Sequence, residues 1–197
     1  MLPRLRPQSP PVLGLDIGGA NLKAATSNGR ALTVPFALWR EPQHLSKRLR
    51  QIVRRFGPGR LAVTMTGELC DCFATKREGV QAILDAVSRA APKIPIQVWS
   101  TQGRFVSVDE ACAEPMRVAA ANWHALATFA GRFAPQGAAL LMDIGSTTTD
   151  IIPLWQGRPA PRGLTDPERL LSQELIYTGV RRTPVCAVMQ TGIASEL

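Results

Sequence analysis

Aromatic residues are scarce: four Trp, one Tyr and six Phe in 197 residues. Proteins that grip nucleic-acid strands interleave basic side chains with aromatics on which bases stack. The densest basic group here, Lys47, Arg48, Arg50, Arg54 and Arg55, lacks such aromatics and falls in one predicted helix. It reads as a solvated face, so the formal charge of +8 fits anionic small molecules such as phosphates better than nucleic acid. Histidine is limited to His44 and His124, and no Cys/His pair completes a zinc site beside Cys70, Cys72, Cys112 and Cys186. Cys70-Asp71-Cys72 is read as reduced thiols of a cytoplasmic protein, with a soft-metal or redox pair as the alternative. No apolar run is long enough to cross a bilayer. Residues 1–11 carry Arg4, Arg6 and four prolines but no continuous apolar stretch, so they are expected to be a mobile arm and not a signal peptide. The expectation is a cytoplasmic protein with neither membrane nor nucleic acid as partner.

What is present is a folded α/β pattern. Val12 to Asp16 is a short apolar strand leading into Gly18-Gly19, Asn21 to Ser27 a second strand, and Asn28-Gly29 a hairpin turn into a third strand, Ala31 to Leu38. A dinucleotide-binding unit would place a helix directly after the glycines, and this meander does not. Leu45, Leu49, Ile52, Val53 and Phe56 recur at helical spacing over 44–56, and Gly57-Pro58-Gly59 ends that helix. Leu61 to Met65 predicts a buried strand ending in Thr66-Gly67-Glu68. A helix follows over 76–91, then a strand over 96–99. Three strands, helix, strand, helix, strand is the ribonuclease-H-like order. A long Ala-rich helix is expected over 115–133. The apolar stretch 138–144, Gly145-Ser146 and the strand 147–155 then begin the first unit again.

The repeat carries the chemistry. Leu15-Asp16-Ile17-Gly18-Gly19-Ala20-Asn21-Leu22-Lys23 aligns with Met142-Asp143-Ile144-Gly145-Ser146-Thr147-Thr148-Thr149-Asp150. In each, a strand ends in Asp-Ile-Gly, turns through small polar residues and returns as a strand. Glycine lets successive backbone N–H groups approach and point at phosphate oxygens. The hydroxyls from Ser146 to Thr149 add donors, and Asp16 and Asp143 can each hold Mg²⁺, chiefly through water. One such turn is commonly just a hairpin; two copies at the starts of two similar units point to phosphate.

The segments Asp16 to Lys23 and Asp143 to Asp150 resemble the first and second phosphate motifs of the actin, Hsp70 and sugar-kinase superfamily. The fold class this implies is α/β, an actin/Hsp70-type ATPase fold with one full ribonuclease-H-like unit and the start of a second. The boundaries expected are 1–11 for the arm, 12–112 for the first unit, 113–135 for a connecting helix and 136–197 for the second, incomplete unit. Ala113-Glu114-Pro115 followed by 118–121 is similar to the Hsp70-type connecting helix, which implies that Glu114 helps position the attacking water; a helix-start carboxylate is the plain alternative.

A narrower resemblance rests on residues 13–24, on Met65-Thr66-Gly67-Glu68 through Phe73 with Lys76 and 78–80, on 118–124, on 143–153 and on Tyr177-Thr178-Gly179 through Pro184. It is to the hydantoinase/oxoprolinase-related proteins of tetrahydromethanopterin-linked one-carbon transfer, which include a methanofuran-biosynthesis synthase. It implies joining a furanmethanol diphosphate to a tyramine-glutamate precursor with displacement of pyrophosphate in an inter-domain cleft. Asp16, Gly18, Gly19, Asn21, Lys23, Gly145, Ser146, Thr147, Thr148 and Asp150 are then the phosphate-binding candidates. Glu68, Asp143 and Glu114 are the catalytic candidates, and Arg181, Arg182 and Asn122 the substrate candidates. Glu68 has two readings, a base for the phenolic proton or a strand-end carboxylate satisfied by backbone N–H groups.

Family members continue past the position of Leu197 with a glycine-rich turn that holds adenosine, so a C-terminally truncated member is expected, with an exposed sheet edge open to a partner or a second copy. Mg²⁺ is the expected cofactor and ATP an alternative ligand whose adenosine-binding segment is missing. The alternatives to a cofactor-biosynthesis enzyme are an ATP-dependent kinase, ATPase or hydantoinase-like subunit, and a non-catalytic remnant.

Overall fold

The computed structural model describes residues 10–181 and 183, and the chain divides into two compact units, Met1–Ala125 and Leu126–Leu197. The expected arm, Arg182 and Cys186 lie mostly or wholly outside the described residues.

The first unit is a six-stranded sheet. Strands β1 (Val12–Ile17), β2 (Asn21–Thr26) and β3 (Ala31–Pro35) form the antiparallel meander. β4 (Arg60–Met65) and β5 (Ile96–Trp99) run parallel to β1, and β6 (Phe105–Val106) returns antiparallel on β5. The order β3-β2-β1-β4-β5-β6 is that of a ribonuclease-H-like unit with one added edge strand. Two helices make the crossovers, as parallel strands require. Helix α1 (Leu45–Phe56) buries Leu45, Leu49, Ile52, Val53 and Phe56 and stops at Gly57, whose φ of 58° is the left-handed cap that glycine accepts without a Cβ penalty. Each of those side chains contributes about 1.5–3 kcal/mol on full burial. Helix α2 (Lys76–Ala90) starts on Thr75, whose hydroxyl accepts the Glu78 N–H, and buries Val80, Ile83, Leu84 and Val87.

Alternation along the strands divides the sheet into two faces. Leu13, Leu15, Ile17, Leu22, Leu61, Val63, Met65 and Val98 join the helices in the core. Gly14, Asp16, Lys23, Ala25, Ala62 and Thr64 point to the other face.

The single helix expected over 115–133 is broken into pieces. Helix α3 (Val108–Ala113) ends at Glu114, Pro115–Arg117 makes one tight turn, and α4 (Asn122–Ala130) begins afresh. The break is at Ala120, a non-glycine residue at φ 47°, which no α-helix can pass through. Ala content predicted a helix, and tertiary contacts overrode it. Asn122 is accordingly the first residue of α4 and not a mid-helix residue.

In the second unit β7 (Ala138–Ile144) and β8 (Thr149–Trp155) pair antiparallel over their full length; β8 also pairs β9 (Arg158–Pro159) and β10 (Leu175–Ile176). Helix α5 (Asp166–Leu171) is started by a capping box between Thr165 and Glu168. Among the described residues β7 pairs on one side only, and Leu140, Met142 and Ile144 on it are exposed.

Candidate functional site

The first turn is held from three directions. Gly18 N–H donates to the Asn21 carbonyl at 3.0 Å and closes the hairpin. The chain leaving β3 donates Phe36 N–H to the Ala20 carbonyl and Leu38 N–H to the Gly19 carbonyl, and the chain leaving β4 donates Thr66 N–H to the Ile17 carbonyl. These contacts use the turn's carbonyls. Among the described residues, no hydrogen bond uses the N–H of Gly19 or Ala20, so two donors remain for an anion.

Glycine is demanded here by crowding. A Cβ on Gly19 would stand 2.7 Å from Cys70 Sγ, and one on Gly67 would meet Leu38 Cδ2 at 2.5 Å and the Ile17 carbonyl at 3.1 Å. Gly79 lets α2 press on the Glu68 backbone, where a Cβ would lie 2.7 Å from Glu68 Cα. The Thr66–Cys70 loop is thus clamped between α2 and the turn. Burial and the neighbouring Cys72 push the Cys70 thiol up to about 11, so at neutral pH it is a neutral packing group and not a nucleophile.

Asp16 and Lys23 face each other across β1 and β2, with Lys23 Nζ 3.1 Å from Asp16 Oδ2. Asp16 Oδ1 is buried and, among the described residues, has no hydrogen-bond partner. The carboxylate, 25% exposed as a side chain, stands at the end of a strand beside those two N–H groups and can take a cation there. Asn21 opens β2 on the exposed side of the turn.

Glu68 is buried, and its Oε1 accepts the Ala120 N–H at 2.7 Å. The carboxylate holds the left-handed bend that ends the Ala-rich segment. Glu114 caps the end of α3 and pairs with Arg117 at 2.6 Å in a half-exposed position.

The second turn repeats the first in outline: Gly145 N–H donates to the Thr148 carbonyl at 2.8 Å, matching Gly18 and Asn21. It differs in being covered. Val180 N–H donates to the Gly145 carbonyl, Arg181 N–H to the Ser146 carbonyl, and Thr149 Oγ1 to the Thr178 carbonyl at 2.6 Å. A Cβ on Gly179 would come within 2.4 Å of Thr147 N, so glycine alone permits this approach. The Thr178–Arg181 segment therefore belongs to the second turn, and the Arg181 backbone is fixed there. Ser146 and Thr147 hydroxyls lie 3.5 Å apart.

Asp143 stands opposite Asp150 in the register of β7 and β8. Burial raises the Asp150 carboxyl above its ordinary value, against the pull of the Arg169 hydrogen bond and charge; the Asp143 charge adds to the rise. Arg169, with its side chain 1% exposed, donates to Asp150 Oδ1 at 2.8 Å and to the Glu174 carbonyl at 2.9 Å. The Glu174 carboxylate in turn accepts the Arg162 and Gly163 N–H groups. Asp150 is thus committed to a buried structural pair, which sequence reasoning about a phosphate motif missed. The capping box before Arg169 was the available signal that a helix would deliver that arginine.

The hydantoinase/oxoprolinase family model matches residues 60–190. A Methanocaldococcus jannaschii protein, the synthase of a γ-L-glutamylaminoethyl-phenoxymethyl-furan-2-yl methanamine, is 37% identical over 177 residues, which are 88% of this chain and 52% of the relative. The Methanococcus vannielii protein of the same name is 54% identical over 46 residues, 23% of this chain and 20% of that relative. The chain spans about half the length of the first of these curated relatives. Among solved structures, an inorganic polyphosphate/ATP-glucomannokinase from Arthrobacter is 13% identical with a TM-score of 0.47, covering 82% of this chain and 68% of that one. A Ppx/GppA family member from Aquifex aeolicus is 14% identical with a TM-score of 0.43, covering 77% and 49%. Both are weak overall matches, and the fold assignment rests on strand order. On the family match over most of its residues, the chain belongs to the hydantoinase/oxoprolinase family.

Proposed function

We propose that this chain is the phosphate-binding part of a cytoplasmic enzyme of one-carbon cofactor biosynthesis, in the methanofuran and tetrahydromethanopterin-linked setting, acting on a phosphorylated or diphosphorylated small molecule. The observation that carries the proposal is the first turn, where Lys23 Nζ lies 3.1 Å from Asp16 Oδ2 and, among the described residues, no hydrogen bond takes up the N–H groups of Gly19 and Ala20. The relatives' shared synthase name supports the biosynthetic setting.

The residues fit a bound Mg²⁺ of the kind that takes one carboxylate and completes its shell with water and phosphate oxygens. Among the described residues there is no cluster of three or more His, Cys, Asp or Glu that would cage a metal on its own. Asp16 would hold such an ion at the first turn and Asp143 one at the second, and when bound it would neutralise charge on a leaving diphosphate. Gly18 and Gly19 bring backbone close to phosphate, Lys23 adds positive charge at the strand end, and Arg181 supplies a cation at the second turn. In this reading Glu68 is a positioning residue, because its carboxylate is engaged by Ala120.

Calorimetric titration with magnesium pyrophosphate, ATP and ADP tests the proposal. Pyrophosphate binding that adenine nucleotides do not surpass is the expected result. Binding of ATP with no binding of pyrophosphate would favour a kinase or ATPase, and no binding at all would leave a non-catalytic remnant.

A further inference from the structure

The end of β4 brings a hydroxyl to the first turn. In the parallel register of β1 and β4, Thr64 lies opposite Asp16, and just beyond the strand Thr66 N–H donates to the Ile17 carbonyl at 3.0 Å. Thr66 thus comes abreast of Gly18, with its Oγ1 3.6 Å from the place that a Cβ on Gly18 would occupy. The residues that follow hold it there. Gly67 is buried, and a Cβ on it would stand 3.1 Å from the Ile17 carbonyl and 3.4 Å from the Gly18 carbonyl carbon. Glu68 is turned inward to the Ala120 N–H.

The fold makes no use of this hydroxyl. Thr66 stands at the start of the short 3-10 turn Gly67–Leu69, a position where threonine ordinarily offers its oxygen to the first N–H groups of the turn. Here the side chain makes no such bond. Leu69 N–H meets the Thr66 backbone carbonyl at 3.4 Å, and Cys70 N–H meets the Gly67 carbonyl at 3.1 Å. Among the described residues, no hydrogen bond takes up Thr66 Oγ1. Thr64 Oγ1, two residues earlier, is buried and closed to a ligand, whereas Thr66 is partly exposed.

We infer that Thr66 is a further phosphate-binding residue, whose hydroxyl donates to an oxygen of the anion held by the Gly19 and Ala20 N–H groups. The inference rests on the phosphate reading of the first turn and adds to it a ligand from a second, non-adjacent part of the chain. The chemistry suits the position. A hydroxyl proton rotates to meet whichever oxygen is offered, and its bond to an ionised acceptor is stronger than a bond between neutral groups. Held from β4 as well as from the β1–β2 turn, the anion is fixed in orientation and not only attracted.

Calorimetric titration of the whole chain with magnesium pyrophosphate tests the assignment in the parent, Thr66→Val, Thr66→Ser and Asp16→Asn. Thr66→Val keeps the side-chain shape and removes the hydroxyl. It should retain the unliganded melting temperature and bind about tenfold more weakly or worse, the loss expected for a hydrogen bond to a charged group. Thr66→Ser keeps the hydroxyl and should bind clearly more tightly than Thr66→Val. Thr66→Ala is a second hydroxyl-free variant, read in place of Thr66→Val if that one melts early. Parent-like binding by a folded hydroxyl-free variant would overturn the inference, and the phosphate reading would still stand if Asp16→Asn abolished the binding. Equal weakening in Thr66→Ser and Thr66→Val would trace the loss to shape and overturn it too. Early melting of both hydroxyl-free variants would assign the hydroxyl to the fold instead. No binding by the parent would remove the phosphate reading and the inference with it.

Discussion

The Glu68 carboxylate accepts the backbone N–H of Ala120 at 2.7 Å, tying the end of β4 to a residue held at φ 47°. Removing a buried acceptor leaves that N–H unsatisfied, so Glu68→Ala should cost about 1–3 kcal/mol in urea unfolding. Glu68→Gln keeps an acceptor oxygen and should lose less. A Gln variant as damaged as the Ala variant would show that the negative charge, and not the hydrogen bond, is what matters.

Gly19 and Cys70 are in steric register: Gly19→Ala forces a Cβ to 2.7 Å from Sγ. We expect that variant to weaken pyrophosphate binding about tenfold or more by displacing the turn. Cys70→Ala, which removes the sulfur, should restore part of that loss in the double variant. Additive losses in the double-mutant cycle would argue against the clash as the cause.

Arg169 and Asp150 form a buried pair at 2.8 Å. Arg169→Met strands the Asp150 charge and should destabilise by about 3–5 kcal/mol, measured by chemical denaturation. In the Asp150→Asn background the same change should cost clearly less. Independent costs would place the stabilising role of Arg169 on the Glu174 carbonyl instead.

Glu168 accepts the N–H groups of Leu164 and Thr165, which hold its carboxyl below the ordinary glutamate value. Because the folded value is the lower one, the stabilisation is present above the unfolded value, about 4.3, and is lost as pH falls through the folded value. The melting-temperature gap between the parent and Glu168→Gln should therefore be constant near neutrality and close as pH drops below about 4. A gap that persists in acid would show that the carboxylate charge is not what caps α5.

Much of the first unit was legible because its signals are local. Asn28-Gly29 specified the β2–β3 hairpin, and the spacing of Leu45, Leu49, Ile52, Val53 and Phe56 specified α1. The repeat of Asp-Ile-Gly located both turns. The break at Ala120 was not legible, since alanine favours helix and the contact that overrides it comes from Glu68, distant in sequence. Nor did the sequence show that Asp150, at the start of the strand after the second turn, is claimed by a buried arginine, because only the fold delivers Arg169. Arg182 lies outside the described residues.

The most direct test of phosphate binding at the first turn is the heat of magnesium pyrophosphate binding to the parent chain and to Asp16→Asn, measured alongside their melting temperatures. The account predicts saturable binding by the parent, a raised melting temperature with ligand as mass action requires, and loss of both in Asp16→Asn with the unliganded fold intact. Parent-like binding by Asp16→Asn, or no binding by the parent, would contradict it.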